Sequence, residues 1–418
     1  MDAARPQSAP GPLAGVRVLA VEQMQALPYG TQLLGFLGAE VVKIEHPVEG
    51  DSGRGARPAL RDDDGRDVGA TYLRNNLNKR SVAIDLKRPE GVDLVRRLAG
   101  RFDIFAENMK PGTVDRLGLG WDALSALHPR LVYVSVSGFG NLGETPHAGR
   151  PAYSSVVEAM AGLYELMREP GDATRVGHAG ALGDLAAALF AVVGALAALH
   201  ERTRTGLGRR VDVAMYDSVV AFLDLVPFMF SMGVPRMRRS AVAGVFDAFA
   251  CRDGRFVAQA VRDHQLARFA EVVGHPEWSR DPRLATREGW TAHLESVVRP
   301  GVEAWAAGKT MAEVSDALSA AGVPCGPSQA PADLVRDPHL GLHEMLLEVP
   351  RPDAAAPLLV TGNPIKLAGA GPTPRRRWPR LGEHTDPVLS DELGLTTSEL
   401  ARLRAQGVIG GGRERGRC

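Results

Sequence analysis

The sequence predicts an α/β protein, with an open parallel sheet in a large domain and a second, smaller α+β domain. Three observations predict it. The first third of the 418 residues alternates strand-like and helix-like patterns, as parallel strands with covering helices do. A strand pair around Asp253-Gly254, followed by helical stretches, marks a separate region from about 240 to 326. Beyond Pro327 the chain turns Pro-rich and irregular before one short final helix.

The elements follow in order. Val16 to Val21 is the first strand, and a helix from about Tyr29 to Leu37 follows it and stops at Gly38. Glu40 to Glu45 is the second strand and Ser81 to Leu86 the third. Pro89 then occupies the first turn of a helix running to about Ala99, a position that tolerates proline. Asp103 to Glu107 and Leu131 to Val136 supply two more strands, with a helix at Trp121 to Leu127 between them. Such a series implies a Rossmann-like sheet with helices on both faces. Two helices come next, Tyr153 to Tyr164 and a longer Gly183 to Glu201. The longer one ends in Arg202-Thr203-Arg204 and then Gly206 and Gly208, as helix C-termini prefer. Val211 to Met215 is extended again. The large domain is thus placed at 13–225, the small one at 240–326 and a closing segment at 340–410 with a helix over Thr397 to Gln406. Residues 1–12 read as a disordered lead-in and 411–418 as a disordered tail.

Composition excludes some functions. Lys plus Arg and Asp plus Glu each total 49, a zero balance that argues against nucleic-acid binding, which favours a basic surplus. No uninterrupted apolar run reaches the roughly eighteen residues of a membrane span; the nearest, Leu185 to Leu199, is short and Ala-rich. Cys251, Cys325 and Cys418 are scattered without a C-x-x-C pair. They point to a reducing cytoplasm, with neither a disulfide framework nor a metal site.

Local reading of candidate residues leaves choices open. The turn Glu22 to Gly30 holds no G-x-G-x-x-G, so an NAD cradle is not indicated. Gln25 lies in that turn, at the end of the strand where open sheets bind ligands, and by residue type is equally a surface glutamine. Asn78-Lys79-Arg80 precedes a strand and Arg116 follows Lys110-Pro111-Gly112. Such cations hold phosphates, yet each alone reads as a solvated charge. Asp184 opens the Ala-rich helix, where an acid favours the first turn by capping and dipole. His178 stands alone.

Read together, the blocks resemble class III CoA-transferases, the group of formyl-CoA transferase and carnitine CoA-transferase. The blocks are Gly35-Phe36-Leu37-Gly38-Ala39-Glu40 running on to Glu45, Asn78-Lys79-Arg80-Ser81-Val82, and Glu107-Asn108 with Pro111-Gly112 and Asp115-Arg116-Leu117-Gly118. Ser135 to Gly140, Thr205-Gly206 with Gly208, Val211 to Asp217 and Leu381-Gly382-Glu383-His384-Thr385 complete the order. The resemblance runs from Gly11 to Ile409. It implies an interlocked homodimer, with the closing segment returning to the large domain, and no permanently bound cofactor: a coenzyme A thioester is a substrate. The family's catalytic aspartate lies in a segment similar to Gly180-Ala181-Leu182-Gly183-Asp184, which selects Asp184. Gln25 is implied to position the reacting carbonyl. His46, Asn78, Lys79, Arg80, Asn108, Arg116, Ser137 and Phe139 are implied to line the CoA site. Formyl-CoA transferase has Arg where His46 stands, and Lys and Tyr where Ser137 and Phe139 stand. Its glycine-rich loop has no match at Ala241-Val242-Ala243-Gly244, so formyl-CoA and oxalate are not the implied pair. Succinyl-CoA as donor and a dicarboxylate or other organic acid as acceptor are the family default.

The implied chemistry suits a carboxylate. With an ordinary pKa of about 3.9 it attacks a thioester without a separate base, and the aspartyl anhydride and aspartyl-CoA thioester that follow both keep the acyl group activated. Amides at the helix N-terminus and the Gly138-Phe139-Gly140 turn are the expected oxyanion donors. Two rivals share the site. An α-methylacyl-CoA racemase needs a histidine where Pro151 to Val156 has none, and a silent CoA-binding subunit has no need of Asp184.

Overall fold

The computed structural model describes residues 11–62, 65–168, 171–176, 180–233, 243–351, 353–368 and 377–411. The lead-in as far as residue 10, the tail from residue 412, His178 and Ala241-Val242 lie outside them. The chain divides into two units, one of Met1–Asp224 with Glu344–Cys418 and one of Leu225–His343.

The first unit is built on six parallel strands: β1 (Arg17–Val21), β2 (Glu40–Glu45), β3 (Lys79–Ala83), β4 (Ile104–Glu107), β5 (Val132–Ser137) and β6 (Arg210–Ala214). Their order is β3-β2-β1-β4-β5-β6, so the sheet reverses direction between β1 and β4. Apart from the edge strand β6 the strands are buried almost throughout, as in a sheet covered on both faces, though β2 and β3 bury charged residues. Alternate residues go to opposite sides. Val18 and Ala20 join a core with α1 (Ala26–Phe36) and the long helix Leu182–Thr205. Leu19 and Val21 join a second core with α2 (Pro89–Ala99) and the C-terminal helices Thr385–Leu393 and Thr397–Ala405.

Differences from the sequence reading have local causes. β3 starts at Lys79, two residues early, because Lys79 and Ser81 point into the protein and pair with buried acids, which an apolar pattern does not show. The helix expected over Tyr153 to Tyr164 is two, α3 (Ser154–Met160) and Leu163–Met167, broken where Gly162 takes φ 83°. The closing segment is not irregular at first: it opens with an antiparallel pair, Leu346–Val349 and Leu358–Thr361. Further on it is stitched to β3, with the Gly382 amide donating to Ser81 Oγ, the Ala83 amide to Thr385 Oγ1, and the Asp85 amide to the Val408 carbonyl.

The long helix, α4 (Leu182–Thr205), has 24 residues and is apolar enough by length and composition to cross a membrane. The expectation that this stretch is too short therefore fails. It is instead a core helix: Ala186, Ala187, Ala188, Ala191, Ala195 and Ala198 are buried against α1 and the sheet. Gly30 lets α1 approach closely, since a Cβ there would stand 3.2 Å from the Ala188 carbonyl oxygen.

The second unit carries a hairpin, Val245–Cys251 with Gly254–Ala260, joined by the short strand Cys325–Pro327. Its core is aromatic, with Phe249, Phe256, Phe269, Trp278 and Trp290 buried among helices.

Candidate active site

Both α1 and α4 run back along the strands, so their N-termini lie side by side at the carboxyl ends of the sheet. Gly30 faces Ala188; one turn earlier on each helix come Ala26, with Gln25 as its N-cap, and Asp184. The two candidates chosen from sequence for the reaction thus occupy one level, beside the switch point between β1 and β4. Open α/β sheets bind ligands in this crevice.

Asp184 does not cap its helix. That task falls to Glu158 of α3, a buried residue missed in the sequence. Its carboxylate accepts from the Gly183 amide at 3.1 Å, from Ser154 Oγ at 2.5 Å and from the Tyr164 hydroxyl at 2.5 Å, and also from the Leu182 amide. Burial would raise the Glu158 pKa, but these bonds outweigh it and hold the group below the usual carboxylate range. Gly183 is required for this approach, because a Cβ would meet Ser154 Oγ and Val157 Cγ2 at 2.9 Å. Ser154 Oγ also takes the Asp184 amide at 3.2 Å.

With the helix already capped, Asp184 carries no hydrogen bond from its carboxylate among the described residues. Burial pushes its pKa up, the Glu158 charge adds to this, and Arg74 opposes it, for a result of about 6. The ordinary value expected from sequence is corrected accordingly. Asp184 remains mostly ionised at neutral pH, and it is a stronger base than a solvated aspartate.

The turn that presents Gln25 is strained and tightly held. Met24 takes φ 64°, uncommon for a residue with a side chain. The Met24 amide donates to Asp51 Oδ1 at 2.9 Å, and Asn108 brackets Gln23, accepting from its amide at 2.8 Å and donating to its carbonyl at 2.9 Å. Asn108 leaves β4 and Gln23 leaves β1, so this bracket spans the switch point. Asp51 is fixed in turn by the fully buried Lys43, which ion-pairs with it.

Lys43 belongs to a buried ionic cluster. Lys79 Nζ lies 2.7 Å from Glu22 Oε1 and also donates to the Pro28 carbonyl and Asn76 Oδ1. Arg54 pairs with Glu45 at 2.7 Å. Glu45 is driven down to about 2: burial opposes ionisation, but Arg54, Lys43 and Ser81 prevail. Burial lowers Lys79 to about 8 despite Glu22. Among the described residues, the cations expected to meet CoA at positions 79 and 80 therefore face protein groups. Arg80 donates to Glu40 at 2.8 Å beside Arg17, at the amino end of the sheet, opposite Asp184. Asn78 sits at φ 65° in the turn entering β3.

His46, Arg116, Ser137 and Phe139 are all at the carboxyl ends. His46 follows β2, and its Nδ1 accepts from the Val48 and Glu49 amides at 3.3 and 3.2 Å. Arg116 is exposed at the end of the short helix Thr113–Arg116 that follows β4. The exposed Lys87 and Arg88, in the loop after β3, add cations at this end that sequence inspection passed over. Phe139 packs on His147 and Tyr216, ring centroids 5.0 and 6.0 Å apart. Of the oxyanion donors expected from sequence, the Leu182 and Gly183 amides are held by Glu158 and the Gly140 amide by Ser137 Oγ.

Residues 13–385 match the sequence model of the family described as CoA-transferase family III. The chain is 34% identical over 408 residues to the succinyl-CoA–L-malate CoA-transferase beta subunit of Chloroflexus aurantiacus, covering 95% of this chain and 98% of that protein. It is 35% identical to the formyl-CoA:oxalate CoA-transferase of Streptomyces avermitilis, covering 95% and 99%. Among solved structures, a CAIB/BAIF family protein from Brucella suis superposes with a TM-score of 0.80 at 29% identity, covering 92% of this chain and 100% of that one.

Proposed function

The chain belongs to CoA-transferase family III, whose members move CoA between an acyl-CoA and a carboxylate, and from that premise we propose that Asp184 carries the group in transit. The observation behind this is a carboxylate relieved of helix capping by Glu158 and left without a hydrogen bond among the described residues.

In this reading the ionised Asp184 attacks the thioester carbon, its C–O bond forming as the C–S bond breaks and CoA leaves as thiolate. The thiolate then attacks the aspartyl carbon of the mixed anhydride and expels the donor acid as its carboxylate. The acceptor carboxylate attacks the aspartyl-CoA thioester, freeing the thiolate again, and the thiolate takes the acceptor's acyl carbon and returns Asp184. No proton is gained or lost over the cycle. Gln25, held by the bracketed turn, orients the reacting carbonyl. Of the residues proposed for CoA, His46, Arg116, Ser137 and Phe139 stand at the right end of the sheet to touch it. Asn108 serves by positioning Gln23, and Lys79 by bracing Glu22. Asn78 and Arg80 act through the start of β3.

A racemase would need a second acid–base group free to move a proton. Glu158 is a carboxylate whose charge acts on Asp184, and four donors occupy it, which favours transfer. A homodimer is part of the reading: Leu189, Phe190 and Val193 are exposed along α4, and Phe222 lies against Phe190 with ring centroids 5.9 Å apart. An apolar row of this kind is what a second copy covers.

The test incubates the protein with a panel of acyl-CoAs and weighs it intact. A CoA-sized adduct on the wild type and on Asp172→Ala, absent from Asp184→Ala, supports the reading. Exchange of α-hydrogen in deuterated water without CoA transfer overturns it in favour of the racemase.

A further inference from the structure

We propose that Arg74 is the specificity residue of the acyl pocket, its guanidinium holding the distal carboxylate of a dicarboxylic acyl group while the thioester carbon meets Asp184. This rests on the assignment of Asp184 as nucleophile.

Arg74 closes the short helix Ala70–Asn75, and its carbonyl accepts from Gln32 Nε2 of α1 at 2.8 Å. The next residue, Asn75, is fully buried and directs Nδ2 toward the Met24 carbonyl, immediately before Gln25. Residue 74 is therefore tied on one side to α1 and on the other to the turn that presents Gln25. From there its charge acts on both Tyr29 and Asp184.

The guanidinium is also uncommitted. Nearby buried cations are each paired: Lys43 with Asp51, Lys79 with Glu22, Arg54 with Glu45. Arg74 is half-buried and its side chain has neither a hydrogen bond nor an ion pair among the described residues. A cation withdrawn from water without a partner is costly, and an incoming anion relieves that cost. A planar fork of donors matches a carboxylate in two-point contact. Asp184 does not take this role, because no bond joins the two. Glu158 does not either, since its oxygens are occupied. A donor whose acyl chain ends in a carboxylate supplies the missing partner, whereas a monocarboxylic chain of equal length lays a methyl group against a bare charge. The substrate class is thus a dicarboxylic acid as its monothioester.

The experiment compares wild type, Arg74→Met, which keeps length and packing, and Arg74→Lys, which keeps charge without the fork. Initial rates are taken at pH 8, where Asp184 is ionised in all three, with succinyl-CoA or butyryl-CoA as donor and acetate as common acceptor. Calorimetry separately measures the affinity of each protein, and of Asp184→Ala, for succinate and butyrate. Arg74→Met is expected to lower kcat/KM for succinyl-CoA by on the order of 100-fold and for butyryl-CoA by less than about threefold, with Arg74→Lys recovering part of the loss. Equal losses with both donors would assign Arg74 to the electrostatics of Asp184 and overturn the proposal, as would a wild type indifferent to the distal carboxylate. The binding arm separates the two readings. Succinate preference that depends on Arg74 and survives in Asp184→Ala supports this proposal even if no CoA adduct forms. An adduct on Asp184 with no dependence on Arg74 sinks this proposal alone.

Discussion

At the scale of residues, the environment of the Asp184 carboxylate is set by a neighbour. Glu158 takes the helix amides that would otherwise stabilise the Asp184 carboxylate, and its own charge then raises the Asp184 pKa further. The proposed attack requires the ionised form, so kcat/KM is expected to fall on the acid side with an apparent pKa of about 6. A pH–rate profile checks this, and a limb near the ordinary aspartate value of about 4 would contradict it. Because the folded pKa lies above the unfolded one, the native state holds its proton more tightly between those values. Wild-type stability is therefore lost as pH rises from about 4 to 6. Asp184→Asn lacks that loss, and thermal unfolding should show it gaining on the wild type from pH 4 to pH 8. None of this was legible in the sequence. An acid in a first helical turn reads as a cap, and the residue that displaces it from that role comes from another helix.

At the scale of elements, three helix N-terminal regions and one strained turn are brought together by small contacts. Gly183→Ala puts a methyl group 2.9 Å from Ser154 Oγ and Val157 Cγ2. Overpacking of this kind costs about 1 to 3 kcal/mol. It is expected to lower kcat more than stability alone explains, since the clash lies next to Asp184; denaturant unfolding and steady-state kinetics on one preparation separate the two effects. Asn108→Ala removes both bonds to Gln23 and leaves the Met24 amide held by Asp51, and kcat/KM should fall by roughly tenfold or more with little change in melting temperature. Strand and helix periods revealed most of the sheet, because its strands are buried on both faces. They missed the start of β3, where Lys79 and Ser81 are buried polar residues, and the Leu346–Val349 pair, which sits in Pro-rich sequence.

At the scale of the whole molecule, charge is hidden where a zero net balance gives no sign of it. Lys43, Lys79, Arg54, Glu22, Glu45 and Asp51 form a buried cluster that ties β1, β2 and β3 to the turn bearing Gln25. Removing one partner strands another charge, so Lys79→Met should cost about 3 to 5 kcal/mol by denaturant unfolding. Placement explains why motif reading divided the cations as it did. Asn78-Lys79-Arg80 is a recognisable block, but its cationic side chains pair with Glu22 and Glu40, whereas Lys87, in no block, is exposed at the carboxyl end of the sheet. The exposed row Leu189, Phe190 and Val193 carries the assembly claim. Sedimentation of the wild type should give a dimer, and Phe190→Glu a monomer.

The most direct test of Asp184 as the carrier follows its own oxygen atoms. The enzyme is turned over with an acyl-CoA donor and an acceptor acid labelled in both carboxylate oxygens with heavy oxygen, and the peptide containing Asp184 is then weighed. In each cycle the acceptor's oxygen enters the anhydride and stays on the aspartate when the thiolate takes the acyl carbon. The Asp184 carboxylate is therefore expected to gain first one labelled oxygen and then two, with no other peptide labelled. Sustained CoA transfer that leaves this peptide at its natural mass would contradict the account.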